Sequence, residues 1–379
     1  MEKNEFSKIK VGNSVDYDFV FIGTGIISIL EAIYQNLCGK KVLMIDQQNG
    51  LGGAWMTLNI FGFEDVENAI HYFLPDPKGI QFMRDVLQWR VARSESKYRI
   101  FEKPILGIKK IAYDHPFEPC LEAYSRGEGI RKSLKQLFIA IQSILKGKRK
   151  VSRYVEGGAA EMLSKVKAML TKTSVEVKTS TSIEDILIDP DNEKVEFVLN
   201  RNGVQETVVS RSVYLTHGTK IKNLRDNSKT IEISEQIHSR PAAHILVNDE
   251  TPTKVLEAIF TNNKYLKYAH DITRFARPQG NGKANLKIFV FGLHPHVTPS
   301  QELYPEILDM LKKTEIVGKN ATLEGQYWWD VYLPALDDGT LEHLQQNYGK
   351  QISILKTENF TRGIGYHADR WSTKIKEII

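Results

Sequence analysis

Three glycine pairs and one aspartate carry the clearest chemistry in the sequence. Gly23-Thr24-Gly25 follows the apolar run Val20, Phe21 and Ile22, the make-up of a buried parallel strand entering a tight turn. Gly23 lets the chain turn sharply, and Gly25 lacks the Cβ that would hold a diphosphate away from the backbone. Beyond the turn, Ile26, Leu30, Ile33 and Leu37 recur at helical spacing until Gly39. Free N–H groups and the positive end of a helix therefore face the same turn. Asp46, with Gln47 beside it, ends a second apolar strand over residues 42–45. It lies about 20 residues past the turn, where a carboxylate can accept hydrogen bonds from a ribose. Strand, turn, helix, strand and acid in this order predict a dinucleotide site. Ser28 stands where a third glycine would complete the motif, and it is small enough for close helix–strand packing.

A second turn, Leu51-Gly52-Gly53-Ala54-Trp55-Met56-Thr57, follows directly. With it, the opening resembles the FAD-binding superfamily of amine oxidases, protoporphyrinogen oxidase and UDP-galactopyranose mutase. The resemblance implies that Gly52, Gly53 and Thr57 pass beside the diphosphate and ribityl chain of FAD. Ala54 stands where many members carry Arg, and Trp55 is a second departure. In residues 63–73, His71 matches a position that lies close to the isoalloxazine ring in such proteins. The same opening resembles the Rab GDP-dissociation inhibitors, which share the fold and bind no flavin.

Further landmarks follow in family order. Gly157-Gly158 opens an amphipathic helix, after which Val175 and Val177 return the chain to the first sheet. Residues 179–188 read as a strand, and the resemblance places Ile183 at the adenine edge. Residues 195–199 and 205–209 read as a hairpin around Asn202-Gly203, and 212–216 lead back into the sheet, ending at His217-Gly218. Residues 264–274 carry Tyr265, Tyr268, His270 and Arg274 ahead of a strand at 286–291, and resemble the Arg-bearing strand over the flavin. Arg274 suits bidentate anchoring of an anionic substrate, and a surface salt bridge accounts for it equally well. At the C-terminus, a strand at 352–355 precedes Arg362-Gly363-Ile364-Gly365, read as a turn with Gly363 beside the cofactor and a short final helix behind it. The catalytic candidates are His71, Arg274 and Trp55. The cofactor set is Gly23, Gly25, Ser28, Asp46, Gln47, Gly52, Gly53, Ala54, Trp55, Thr57, Ile183 and Gly363.

These landmarks must be positioned by an α/β fold: a Rossmann-like FAD-binding domain with an interleaved α+β substrate domain. The expected FAD-binding domain comprises residues 15–75, 151–220 and 348–379, and the substrate domain residues 76–150 and 221–347. Within the latter, residues 98–101 and 105–111 read as strands and 303–311 as a helix. The helix at 130–145 is expected to pack into the core rather than lie on a membrane. Residues 146–150, with Arg153 beyond, read as a solvated basic loop. The aromatic run at 326–334 reads as core or as a cavity wall. His294 and His296 lack the further ligands a tetrahedral metal site needs, so no metal is expected. Gly292 alone ends the strand at 286–291, so no second dinucleotide fingerprint is expected.

With 379 residues the chain has material for two domains, and 41% apolar with 26% charged residues is ordinary globular composition. A formal charge of +5 admits an anionic small-molecule substrate without arguing for nucleic acid. Two cysteines, Cys38 and Cys120, make no disulfide framework and suit a reducing cytoplasm. The charged, polar start predicts no secretory signal, and no apolar run reaches the ~20 residues of a transmembrane helix. The resemblance implies a FAD-dependent oxidoreductase of the amine oxidase/protoporphyrinogen oxidase type that passes a hydride from a small molecule to flavin N5. Its alternatives are a flavin-dependent sugar-nucleotide mutase and a non-catalytic binding protein on the same scaffold.

Overall fold

The computed structural model describes residues 14–69, 71–74, 76–94, 97–105, 107–145, 152–216, 218–226, 229–233, 235–252, 257–280, 285–355 and 360–379. Strand Tyr17–Ile22 pairs in parallel with Val42–Ile45 on one side and with Val204–Thr216 on the other. Glu176–Lys178 and Ile352–Leu355 extend the parallel sheet beyond these two neighbours. The chain thus builds outward from Tyr17–Ile22 to one side, then returns on the other. That reversal opens a crevice at the carboxyl ends of the two central strands.

The first half of Val204–Thr216 pairs antiparallel with Lys194–Arg201, which pairs with Ser182–Asp189. Their hairpin turn falls where the sequence places it. Asn202 and Gly203 have φ of 54° and 83°, the left-handed pair that a two-residue turn between twisted strands requires.

Helices cover both faces, as the alternating pattern demands. Helix Ile26–Leu37 buries Ile26, Ile29, Leu30 and Ile33 in a core shared with helix Gly158–Leu170, Trp89 and Trp371. On the opposite face, Ile186, Ile188 and Phe197 pack against Leu341 and Leu344 of helix Asp338–Tyr348. Helix Pro77–Asp85 places Phe82 and Met83 in the first core. Residues 77–85 and 338–347 fall in spans read from the sequence as substrate domain, yet their side chains complete the cores of the parallel sheet.

A second sheet runs Thr322–Leu336, Glu235–Asn248, Leu286–Leu293, Leu266–Asp271, Glu257–Thr261, Lys97–Ile105, Ile108–Ala112. It is antiparallel except where Glu257–Thr261 meets Lys97–Ile105. Helix Leu303–Lys313 packs on one face through Leu303, Ile307 and Leu311. Trp328 joins that core while Tyr327 and Trp329 join the core on the other face, the alternation a strand imposes. Tyr327, Trp328 and Trp329 are therefore core packing.

Two expectations are corrected. Helix Ile130–Leu145 forms over the expected span, but its apolar residues are not core: Ile130, Leu134, Phe138, Ile139, Ile141 and Leu145 are 41–81% exposed. Periodicity fixed an apolar face without fixing what lies against it. The second correction is Gly363, which with Gly365 sits inside a 16-residue helix, Phe360–Ile375, rather than in a turn before a short one. Glycine is needed there for contact. A Cβ on Gly365 would lie 2.2 Å from Asp76 Oδ1, and one on Gly79 would lie 2.0 Å from the Thr361 carbonyl oxygen. Farther along the same helix, Trp371 Nε1 donates to the fully buried Glu31 carboxylate at 2.8 Å. The basic run 146–150 and His217 lie outside the described residues. Among the described residues no helix is long and apolar enough to cross a membrane.

Candidate functional site

The crevice is framed by the glycine turn. Gly23 has φ of 95°, and an ideal Cβ on Gly23 or on Gly25 meets no atom within 4 Å. No side chain caps the helix that starts at Ile26. Ser28 is buried in the first turn of that helix.

Asp46 lies where expected, but it also holds the turn together. Its Oδ2 accepts from the Thr24 N–H at 2.9 Å and the Thr24 hydroxyl at 2.6 Å, and its Oδ1 accepts from the Gln48 N–H at 2.9 Å. Thr24 was not singled out in the sequence; the signal is a hydroxyl between two motif glycines. Gln47 is exposed beside it. The Thr181 N–H donates to the Asp46 carbonyl at 3.0 Å, which brings the strand carrying Ile183 alongside, although the Ile183 side chain is buried in the second core.

The second turn folds onto the first. The Gly52 N–H donates to the Thr24 carbonyl at 3.0 Å, and a Cβ on Gly53 would come 3.6 Å from Gly25. Gly52 has φ of 122°, and a Cβ there would meet Leu163 at 2.7 Å. Ala54 and Trp55 follow in a short 3-10 turn, and Thr57 opens the next strand, Thr57–Ile60.

Trp55 and His71 are brought together. Their rings stack with centroids 4.3 Å apart, and Phe360 packs on Trp55 at 4.3 Å. His71 Nε2 lies 3.1 Å from the Ala54 carbonyl and Nδ1 lies 3.5 Å from Glu67 Oε2. The other Glu67 oxygen accepts from the Ala159 N–H at 2.9 Å, at the start of the helix opened by Gly157-Gly158. Gly158 has φ of 63°, and a Cβ there would fall 2.7 Å from Glu67 Oε1. Gly158 is therefore required beside Glu67. A narrow cleft between Glu67, His71, Tyr72, Tyr154, Gly158 and Phe275 is too tight to admit a water molecule.

Arg274 lies apart from Trp55 and His71. It is exposed, with its guanidinium 4.1 Å over the Tyr154 ring and 3.4 Å from the Tyr72 hydroxyl. Burial pushes the Tyr72 phenol well above its ordinary pKa, with Arg274 opposing part of that rise.

Tyr72 also borders a cavity of about 570 Å³ against the second sheet. Lys97, Glu257 and His270 stand opposite one another on adjacent strands of that sheet. Lys97 pairs with Glu257, and His270 Nε2 lies 3.9 Å from the same carboxylate. Burial raises the Glu257 pKa against the pull of Lys97. Burial, then the charge of Lys97, holds His270 well below its usual value, so the imidazole is neutral. Glu257 Oε2 and His270 Nδ1 are buried without a hydrogen-bond partner among the described residues. Arg99 is held by Glu118, Glu122 and Thr261. Lys267 lines the cavity and makes no ion pair among the described residues. Four cations, Lys97, Arg99, Arg126 and Lys267, thus face two carboxylates, Glu122 and Glu257. Of these, only His270 had been noted in the sequence, because their juxtaposition is made by strand pairing across more than 150 residues. His294 and His296 stack on each other at 5.6 Å in a loop away from this cavity's lining.

No family model and no curated protein matches the sequence. In structure, the chain is similar to reduced UDP-galactopyranose mutase, with a TM-score of 0.63 and 12% identity over 96% of this chain and 93% of that one. It is similar to putrescine oxidase bound to putrescine, with a TM-score of 0.60 and 13% identity over 95% and 97% of the two chains. An oxidoreductase from Methanosarcina mazei gives a TM-score of 0.56 and 14% identity over 85% and 90%. The chain therefore shares its fold with UDP-galactopyranose mutase, putrescine oxidase and a putative protoporphyrinogen oxidase from Exiguobacterium sp. 255-15.

Proposed function

We propose that the chain is a FAD-dependent oxidoreductase acting on a small molecule that carries an anionic group. The open glycine turn is the observation that carries this reading. Room above Gly23 and Gly25 coincides with N–H groups that no side chain caps, which is what a diphosphate needs. The residues present thus fit FAD: Gly23, Gly25 and the helix start for the diphosphate, Asp46 and Gln47 for the ribose, the strand at Ile183 for the adenine. Gly52, Gly53, Ala54, Trp55 and Thr57 would line the ribityl side. Gly363, buried inside a helix, is left out of the set. When bound, FAD supplies the two-electron acceptor.

The chain's own residues would seat the substrate and exclude water. His71 is held between Ala54 and Glu67 with its ring against Trp55, a fixed wall at the junction of the two sheets. Tyr72 stays protonated and can donate a hydrogen bond. Lys97, Arg99 and Arg126 are already engaged by carboxylates, which leaves Lys267 to meet an anionic group, with Arg274 near the Tyr72 side. Glu257 Oε2 and His270 Nδ1 lack partners among the described residues, and a ligand in the cavity would satisfy them. The test is the absorption spectrum of the purified protein. A bound-flavin spectrum, or its appearance on reconstitution with FAD, is expected; colourless protein that takes up no FAD overturns the reading.

A second reading, a cofactor-free binding protein on this scaffold, is favoured by one observation: the cleft between Glu67, His71 and Phe275 is closed to water. Colourless protein that nonetheless binds a ligand in the cavity would support it.

A further inference from the structure

We propose that helix Ile130–Leu145 docks the protein on an anionic phospholipid surface. Ile130, Leu134, Phe138, Ile141 and Leu145 recur at intervals of three and four, so they form one stripe along the helix, about 24 Å long at 1.5 Å per residue. Every one of them is exposed. The helix meets the protein along the edge of the stripe beside Ile130: Ser133 is buried and its hydroxyl donates to the Gly129 carbonyl at 2.9 Å, while Leu137 and Ala140 are half-buried. The stripe is thus an unpartnered face of an anchored helix. Phe117 and Tyr124, at the start and end of the neighbouring helix Glu118–Ser125, are exposed as well.

Charge selects the occupant. The helix contains Arg131, Lys132 and Lys135 and no acidic residue. On a helical projection Arg131 and Lys135 flank one edge of the stripe, and Lys132 lies farther round. The acids of the neighbouring helix are neutralised, Glu118 and Glu122 both by Arg99 and Glu122 also by Arg126. An apolar stripe edged by Lys and Arg is the pattern of a helix lying in the plane of a bilayer interface. Protein–protein interfaces are depleted in Lys, which disfavours a protein partner. Glu122 and Arg126, on and just after the neighbouring helix, also line the 570 Å³ cavity, so docking would set that cavity beside the lipid surface.

The test is co-sedimentation of the full chain with phosphatidylcholine vesicles containing about a third phosphatidylserine, against phosphatidylcholine alone. The wild type is expected to pellet with the anionic vesicles, less so as salt rises. Leu134→Glu/Phe138→Glu should lower the bound fraction at least about tenfold, and Arg131→Glu/Lys135→Glu should lower it on anionic vesicles only. All four positions are exposed, so thermal melting should report an intact fold in both variants. Wild type that stays in the supernatant with either vesicle overturns the proposal, as does a Leu134→Glu/Phe138→Glu variant that pellets equally well. A wild-type dimer that this variant converts to monomer, with no vesicle binding by either, would assign the stripe to a second copy of the chain instead.

Discussion

Asp46 Oδ2 accepts hydrogen bonds from both the backbone and the side chain of Thr24, at 2.9 and 2.6 Å, and so ties the end of the second strand to the glycine turn. The carboxylate is buried and Thr24 is fully so. Asp46→Ala would leave the Thr24 N–H without its partner in a dry site, at a cost of about 1–3 kcal/mol. Thr24→Val removes only the hydroxyl bond and should cost about 1 kcal/mol. Urea unfolding of the two variants checks the order; equal, negligible losses would mean that Asp46 faces the crevice alone.

Gly25 separates cofactor binding from folding. Its φ of −59° suits any residue, and an added Cβ meets nothing. Gly25→Val should therefore shift stability by no more than about 0.5 kcal/mol while removing bound flavin. Absorbance of the purified variant and FAD titration read the outcome; flavin retained at wild-type level would displace the diphosphate from this turn.

The crossing of helices Pro77–Asp85 and Phe360–Ile375 depends on two glycines that touch across it. Alanine normally stabilises a helix relative to glycine by about 1 kcal/mol. Here the added methyl of Gly365→Ala would overlap Asp76, and that of Gly79→Ala would overlap the Thr361 backbone. Both variants should lose about 1–3 kcal/mol in chemical denaturation. A stabilised Gly365→Ala would mean that the helices do not approach as closely as described.

What the sequence discloses follows from how local each feature is. The Gly23–Gly25 turn, the place of Asp46 at the end of the second strand and the Asn202-Gly203 hairpin are set by neighbours a few residues away, and each forms where the sequence puts it. Gly365 was misread as part of a turn because its partners, Asp76 and Gly79, lie almost 300 residues earlier. Helical spacing at 130–145 identifies an apolar stripe but carries no information on what covers it. The cavity was the least legible part. Lys97, Glu257 and His270 become neighbours only through the register of three strands.

His244 makes stability fall on acidification. It is fully buried, and its Nε2–H donates to the Glu67 carbonyl at 2.9 Å. Burial lowers its pKa to about 4, with that hydrogen bond opposing the shift. The unfolded chain takes up the proton near the ordinary value of about 6.5 while the folded chain does not. Between those values the unfolded state binds more protons, so stability rises with pH and is lost as pH falls from about 6.5 towards 4. One proton at about 1.4 kcal/mol per pH unit amounts to about 3 kcal/mol over that window. His270, whose pKa burial also depresses, adds a loss of the same sign. His244→Asn offers a donor for the Glu67 carbonyl and does not titrate. Urea midpoints measured from about pH 7 to about pH 5 should fall less steeply for this variant than for the wild type. Parallel slopes would show that His244 already carries its proton in the folded chain, or meets water there.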